Sequence, residues 1–264
     1  MFFSIVIPTY NSENTLLNAL SSVLSQTFID FEILIIDNLS SDSTQVIACR
    51  FDDERIKIYS EKDFGIYDAM NKAIPLAKGD WLYFMGSDDK LYSREVLENI
   101  SNFLKINQEL KAIYGNVVSP RFDGLYAGEF DSEKLYNQNI CHQSIFLKKE
   151  VFNIIGLFNL KYKFLSDYDS NIKWFFNNRI QKKYIDLIVA NYADGGFSSL
   201  NSDYVFLNDK RKLFLKHKNE LDFDLRLHLL KEEYNQNKKE KKYLPFFCNK
   251  LQEILLLNFV KRKN

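Results

Sequence analysis

The sequence predicts an α/β protein built on a mostly parallel sheet flanked by helices, with a helical C-terminal extension. Three observations predict it. Short β-branched and aromatic runs alternate with helical patterns of about 10–15 residues through the first half, as βαβ units require. Each run ends in a polar cluster: Thr9-Tyr10-Asn11, Asp37-Asn38, Glu61-Lys62-Asp63 and Ser87-Asp88-Asp89. The 264 residues are 46% apolar and 27% charged, a globular composition that excludes a disordered, collagenous or disulfide-scaffold chain.

The elements follow in order. Residues 2–7 form an apolar run that meets Pro8, as a buried parallel strand would. Asn11 or Ser12 can cap a helix carrying Leu16, Leu20, Val23 and Leu24. Residues 32–36 make a second strand, and Ser41, Asp42 or Ser43 can cap a helix to about Phe51. Residues 56–59 make a third strand, 65–77 a helix with Pro75 near its end, and 81–85 a fourth strand stopped by Gly86. A helix over 94–106 and a strand over 112–118 follow. The second half is more mixed, with strands over 125–130, 144–147 and 184–192 and a helix over 169–177. Composition changes after Ser198. The expected division is an α/β domain over 1–200, in two halves over 1–118 and 119–200, and a basic helical extension over 201–264.

Charge and cysteines narrow the function. The net charge is +0, which argues against a general nucleic-acid binder. Residues 209–264 nevertheless carry fifteen Lys or Arg against eight acids, a net +7 that leaves residues 1–208 acidic. Cys49, Cys141 and Cys248 are odd in number and far apart, so a reducing compartment, the cytoplasm, is expected. The start lacks the basic region of a signal peptide. The late apolar run over 254–257 is far short of the ~20 residues of a spanning helix. Lys238 to Lys242 is the expected flexible joint.

Ligands of a parallel sheet bind outside the carboxyl ends of its strands, where the four polar clusters converge. No Gly-rich phosphate loop is present: G-x-G-x-x-G and G-x-x-x-x-G-K-[ST] are both missing. A carboxylate-lined site repels a bare diphosphate, so a nucleotide ligand here implies a divalent cation. Mg²⁺ or Mn²⁺ suits such oxygen donors and takes only one or two carboxylates.

The run Ser4-Ile5-Val6-Ile7-Pro8-Thr9-Tyr10-Asn11 is followed by Ile36-Asp37-Asn38-Leu39-Ser40-Ser41-Asp42, Gly79-Asp80-Trp81 and Ser87-Asp88-Asp89. Together they resemble the family 2, GT-A-fold inverting glycosyltransferases. Residues 61–72, His142-Gln143-Ser144 and Asp167-Tyr168-Asp169 resemble the subgroup that builds bacterial O-antigens and surface polysaccharides. The resemblance covers roughly residues 3–198, and it makes 1–200 a catalytic domain with 1–118 the nucleotide-sugar half and 119–200 the acceptor half. It implies a nucleotide-sugar pocket, for a UDP-sugar above all, formed by Pro8, Thr9, Tyr10, Asn11, Asp37, Asp63, Asn71 and Asp88. It makes Asp89 the main ligand of Mg²⁺ or Mn²⁺ and Asp88 the second. Here the motif is Ser-Asp-Asp instead of Asp-x-Asp, so Ser87 contributes no carboxylate. Asp167 aligns with the catalytic base, and Asp169 is its competitor. His142 and Gln143 fall on the acceptor side. The implied acceptor is a saccharide, in the subgroup a lipid-linked one, met at the inner face of the cell membrane.

Plainer readings stand beside these. Asp37, Asp88 and Asp89 also suit turns after strands, and Asp167 or Asp169 also suits a helix start. A metal-dependent nucleotidyltransferase would use a similar sheet, but would show an early Gly-rich loop and a triphosphate-holding Lys. A non-catalytic nucleotide- or sugar-binding module would need no base. For the basic tail, a reversible contact with anionic membrane competes with packing of Leu251, Leu255 and Phe259 on protein, in this chain or in an oligomer.

Overall fold

The computed structural model describes residues 1–120, 124–126, 128–193 and 202–239. The chain forms two compact units, residues 1–129 with 139–206, and residues 130–138 with 207 onward.

The first unit holds a nine-stranded mixed sheet. β1 (Phe3–Thr9), β2 (Phe31–Asp37) and β3 (Ile56–Ser60) alternate with α1 (Leu16–Leu24) and α2 (Thr44–Cys49). After β3 come α3 (Ile66–Leu76), β4 (Trp81–Phe84), the two-residue β5 (Lys90–Leu91), α4 (Val96–Ile106) and β6 (Ala112–Ser119). β7 (Gly124–Tyr126), β8 (Ile145–Lys148), α6 (Val151–Ile155), α7 (Ser166–Phe175) and β9 (Lys182–Asn191) complete it. A short α5 (Ser132–Asn137) precedes β8 in the chain and belongs to the second unit. The strand order is β3-β2-β1-β4-β8-β6-β9-β5, with β7 on β6.

The parallel part is β3-β2-β1-β4 and the β6-β9 pair, while β8 runs antiparallel between β4 and β6. Every residue of β1, β2 and β4 is buried, as expected of strands covered on both faces. α1 buries Leu16, Ala19, Leu20 and Val23, the i, i+3, i+4, i+7 stripe of an amphipathic helix. α4 does the same with Val96, Leu97, Ile100 and Leu104. These side chains join Phe3, Phe31, Tyr83 and Phe146 in one core. Tyr83 and Phe146 stack at 4.5 Å across the β4–β8 seam, which locks the antiparallel strand into the sheet.

Several local expectations change. Neither Asn11 nor Ser12 caps α1 through its side chain; Thr15 stands at the cap and the Ser12 carbonyl accepts from Thr15 and Leu16. The Asn11 side chain is spent on the neighbouring loop instead. Asp42 serves the start of α2 by accepting from the Thr44 amide at 3.0 Å. The strand expected over 125–130 is only Gly124–Tyr126 within the described residues, since Gly128 takes φ +94° and turns its amide to Asn116 Oδ1. α7 starts at Ser166, three residues earlier than expected, so Asp167 and Asp169 both lie in its first turn, where carboxylates are favoured. β5, α5 and α6 were not legible in the sequence.

In the second unit, α5 is joined by α8 (Tyr204–Leu215) from Leu207 on and by α9 (Phe223–Lys239). Tyr136 meets Phe214 edge-on, Ser132 hydrogen-bonds Asp222, and Leu227 and Leu230 pack with Leu215, Phe223 and Tyr234. The expected boundary at 200/201, the composition change after Ser198, and the Leu251, Leu255, Phe259 stripe lie outside the described residues. So do the 254–257 run, Cys248 and most of the Lys238 to Lys242 joint. Among the described residues, no helix is long and apolar enough to cross a membrane.

Candidate active site

The carboxyl ends of β1, β2 and β4 open on a cavity of about 550 Å³. Its walls include Pro8, Thr9, Tyr10 and Asn11 after β1, Asp63 before α3, Ser87 to Asp89 after β4, and His142 with Gln143 from a short 3-10 turn. Lys163 and Phe164, from the loop before α7, complete it. The polar clusters identified after β1, β3 and β4 therefore meet, with His142 and Gln143 beside them.

The loops after β1 and β2 hold each other. Asn11 and Leu39 both adopt left-handed backbone, φ +49° and +52°. The Asn11 amide donates to Ser40 Oγ at 2.9 Å, and its side-chain carbonyl accepts from the Ser41 amide at 2.9 Å. The Ser12 amide donates to Thr44 Oγ1 at 2.7 Å, and Ser12 Oγ lies 2.8 Å from Ser87 Oγ. Asn11 thus acts as a brace between loops, while Tyr10 remains exposed.

Asp37 is fully buried and does not line the cavity. Its carboxylate accepts from Thr9 Oγ1, both the amide and hydroxyl of Ser40, Gln45 Nε2 and Ser60 Oγ. A carboxylate has about four lone-pair sites, so none is left over. Burial pushes its pKa up, but the hydrogen bonds from Ser40, Ser60 and Gln45 outweigh that and hold it below 3.8. Asn38, the next residue, lines the cavity instead and accepts from the Asp63 amide at 2.9 Å. Asp63 in turn receives the Gly65 amide at 2.8 Å, and burial raises its pKa. Asn71 lies apart from this cavity: it clamps Phe158 by two hydrogen bonds of 2.9 and 2.8 Å and borders a separate hollow near Trp81.

The acidic turn is built differently. Asp89 is buried and accepts from the Gly86 amide (3.0 Å), Gln143 Nε2 (2.8 Å) and the Ala193 amide (2.9 Å). Asp88 is only partly buried, and its pKa is raised by burial first and by the Asp89 charge second. A Cβ on Gly86 would stand 2.6 Å from Asp88 Oδ1 and 2.6 Å from Asp89 Oδ2, so a larger residue there requires one or both carboxylates to shift. Among the described residues, no three His, Cys, Asp or Glu side chains form a ready metal cage. Two carboxylates do fit the way Mg²⁺ or Mn²⁺ binds with substrate phosphates, and the pair's mutual repulsion is what a cation relieves.

Asp167 and Asp169 separate cleanly. Their spacing of two residues turns them to different sides of α7. Asp169 is 1% exposed and pairs with Lys173 Nζ at 2.7 Å, one turn along its own helix. Asp167 accepts from Tyr67 Oη and from Asn139 Nδ2, both at 2.7 Å, and stands 3.8 Å from His142 Nδ1. Burial alone would push the His142 imidazole down. Asp167, helped by Asp89 and Asp88, outweighs burial and raises its pKa above 6.5. Tyr67 is raised well above 10 by burial and by the Asp167 charge, so it stays a neutral donor. No motif in the sequence gives Tyr67, Asn139, Asn38 or Lys163 a role. Asn139 meets Asp167 across 28 residues, and no local pattern marks such a pair.

Comparison with known proteins places the chain in a family. The family model described as glycosyl transferase family 2 matches residues 4–150. A PGL/p-HBAD biosynthesis glycosyltransferase of Mycobacterium bovis is 39% identical over 210 residues, 78% of this chain and 82% of the relative. The Escherichia coli UDP-Glc:alpha-D-GlcNAc-diphosphoundecaprenol beta-1,3-glucosyltransferase WfgD is 39% identical over 114 residues, 43% of this chain and 44% of that protein. Among solved structures, Staphylococcus aureus TarS 1-349 in complex with UDP-GlcNAc superposes with TM-score 0.65 at 21% identity, covering 97% of this chain and 81% of that one. The mannosyltransferase PcManGT from Pyrobaculum calidifontis, in complex with GDP-Man and Mn²⁺, gives TM-score 0.61 at 16% identity, covering 98% and 86%. These two likenesses show the fold, an α/β architecture of GT-A type.

Proposed function

We propose the following reaction for this chain, which belongs to glycosyl transferase family 2. It moves a sugar, with inversion, from a UDP-sugar to a saccharide acceptor carried on a lipid diphosphate, in the synthesis of a cell-surface glycan. The observation that carries this reading is the cavity at the carboxyl edge of β1 and β4, where Asp63, Asp88 and Asp89 meet His142, with the Asp167 network beside it. The name of WfgD, which pairs a UDP-Glc donor with a lipid-diphosphate acceptor, supports the choice of substrates. The TarS complex with UDP-GlcNAc supports the same donor class.

Asp167 is the base. Tyr67 and Asn139 each donate one hydrogen bond to a different carboxylate oxygen, which fixes its plane and leaves lone pairs for an acceptor hydroxyl. The acceptor oxygen attacks the anomeric carbon as its proton passes to Asp167. The bond from that carbon to the donor phosphate breaks on the opposite side, and UDP leaves with the electron pair. A bound Mg²⁺ or Mn²⁺ would be held by Asp88 and Asp89 and would stabilise the departing phosphate oxygens as a Lewis acid. His142 and Gln143 stand on the acceptor side, and Gln143 also orients Asp89.

The acceptor lipid brings the enzyme to the inner face of the membrane. The net +7 of residues 209–264 supports a peripheral contact there, since anionic lipid attracts roughly 1 kcal/mol per nearby Lys or Arg. The contact is expected to form with anionic vesicles at low salt and to release at high salt. Soluble protein that ignores vesicles at every salt concentration removes the membrane part of the reading.

The deciding experiment supplies UDP-sugars singly with polyprenyl-diphosphate-linked acceptors and follows release of free UDP. Release should need the acceptor and Mg²⁺ or Mn²⁺, and Asp89→Ala should abolish metal-dependent donor binding. Tight donor binding in excess chelator overturns the metal role. Failure of every nucleotide sugar and acceptor pair to release a nucleoside diphosphate overturns the reaction.

A further inference from the structure

The cavity carries a charge problem that its acids cannot solve. Asp63, Asp88 and Asp89 line it, and Lys163 is the only Lys or Arg among its described lining residues. A donor diphosphate entering this space meets carboxylates, and one divalent cation shared with Asp88 and Asp89 leaves part of that charge unmatched.

The backbone around Lys163 is held on both sides. Asn71 fixes Phe158 by two hydrogen bonds, and the buried Asp203 accepts from the amides of Phe164 (3.0 Å) and Leu165 (3.3 Å). The Phe164 carbonyl lies 2.9 Å from Tyr67 Oη, on α3 in the cavity wall. The Lys163 side chain itself is exposed, and no described residue takes its ammonium in an ion pair. A long cationic arm therefore rises from a fixed base into an acidic cavity.

We propose that Lys163 binds the diphosphate of the donor and meets the negative charge that grows on it as the glycosyl bond breaks. This rests on the reaction proposed above, and it gives Asn71 and Asp203 a purpose: they aim the loop that carries the lysine. Lysine serves phosphate as a point charge with three donors, so it needs no rigid cradle of backbone amides. That suits a site without a Gly-rich loop.

Titrations of UDP and of uridine, both with Mn²⁺ present, test the assignment on wild type, Lys163→Met and Lys163→Arg. Lys163→Met should weaken UDP binding roughly 10- to 100-fold, as loss of a charge-assisted contact does, with uridine affinity unchanged. Lys163→Arg should keep most of the UDP affinity. If wild type binds UDP and Lys163→Met binds it equally well, the lysine assignment falls and the transferase reading stands. Equal loss of uridine and UDP in Lys163→Met marks a structural role and also overturns the assignment. A wild type that binds neither UDP nor any other nucleoside diphosphate removes the transferase reading and the lysine assignment together.

Discussion

Asp37 ends β2 and Asp88 follows β4, the two strands that flank β1 at one edge of the sheet. Sequence alone makes them equivalent, an acid after a parallel strand. The fold treats them oppositely. Asp37 is sealed, receives five donors and has a lowered pKa. Asp88 is half-buried beside a second carboxylate and has a raised pKa. A carboxylate whose acceptor sites are filled by protein is a structural tie, and one left short of donors next to a like charge is what the proposed cation would relieve. The comparison extends to α7, where Asp169 is closed off by Lys173 and Asp167 keeps acceptor capacity beside His142.

The largest effect is expected on that helix. Asp167→Asn should cut turnover by about 10²–10⁴-fold, the usual worth of a general base, with donor affinity nearly intact. Asp169→Asn should leave turnover within a few-fold. The reverse pattern in steady-state rates would hand the base role to Asp169.

Next comes stability at the sealed acid. Asp37→Ala strands several buried donors and should cost about 2–4 kcal/mol, read as a loss in urea midpoint or melting temperature. The pH dependence has a definite sign. A lowered folded pKa means the carboxylate's contribution is fully present above about pH 4 and is lost as pH falls through the folded value. The stability gap between wild type and Asp37→Ala should therefore narrow in strong acid. A constant gap down to pH 2 would show that Asp37 is not the tie described.

Gly86→Ala should follow at about 1–3 kcal/mol, because its Cβ overlaps oxygens of both Asp88 and Asp89 at 2.6 Å. It should also weaken metal-dependent donor binding, since the turn cannot shift without moving both acids. An alanine variant with unchanged melting and donor affinity would mean the turn relaxes freely.

The smallest stability change belongs to Asp88. Its raised pKa makes ionisation unfavourable as pH rises above about 4, so Asp88→Asn should be neutral or slightly stabilising at pH 7. Metal-dependent donor binding should weaken in the same variant. Thermal melts beside donor titrations check both, and a strongly destabilised Asp88→Asn would erase the contrast with Asp37.

The strands, their order in the chain and the polar clusters at their ends were legible because they are local. Residues 2–7, 32–36 and 81–85 mark themselves by apolar content and by what stops them, and a parallel sheet then sends every carboxyl end to one edge. Short elements such as β5 and α6 carry too few residues for a period to emerge. The position of β8, antiparallel between two strands far apart in sequence, was likewise decided by packing, with Tyr83 against Phe146. So was the fate of each acid. Ser60 and Gln45 fill Asp37, Gln143 and Ala193 reach Asp89 from 54 and 104 residues away, and Tyr67 reaches Asp167 across 100. By itself the sequence determined which residues stand at the edge of the sheet, since strand direction is a local property. Only the tertiary structure decided which of them have acceptor sites left for a ligand, since hydrogen-bond capacity is used up by whatever neighbours the fold delivers.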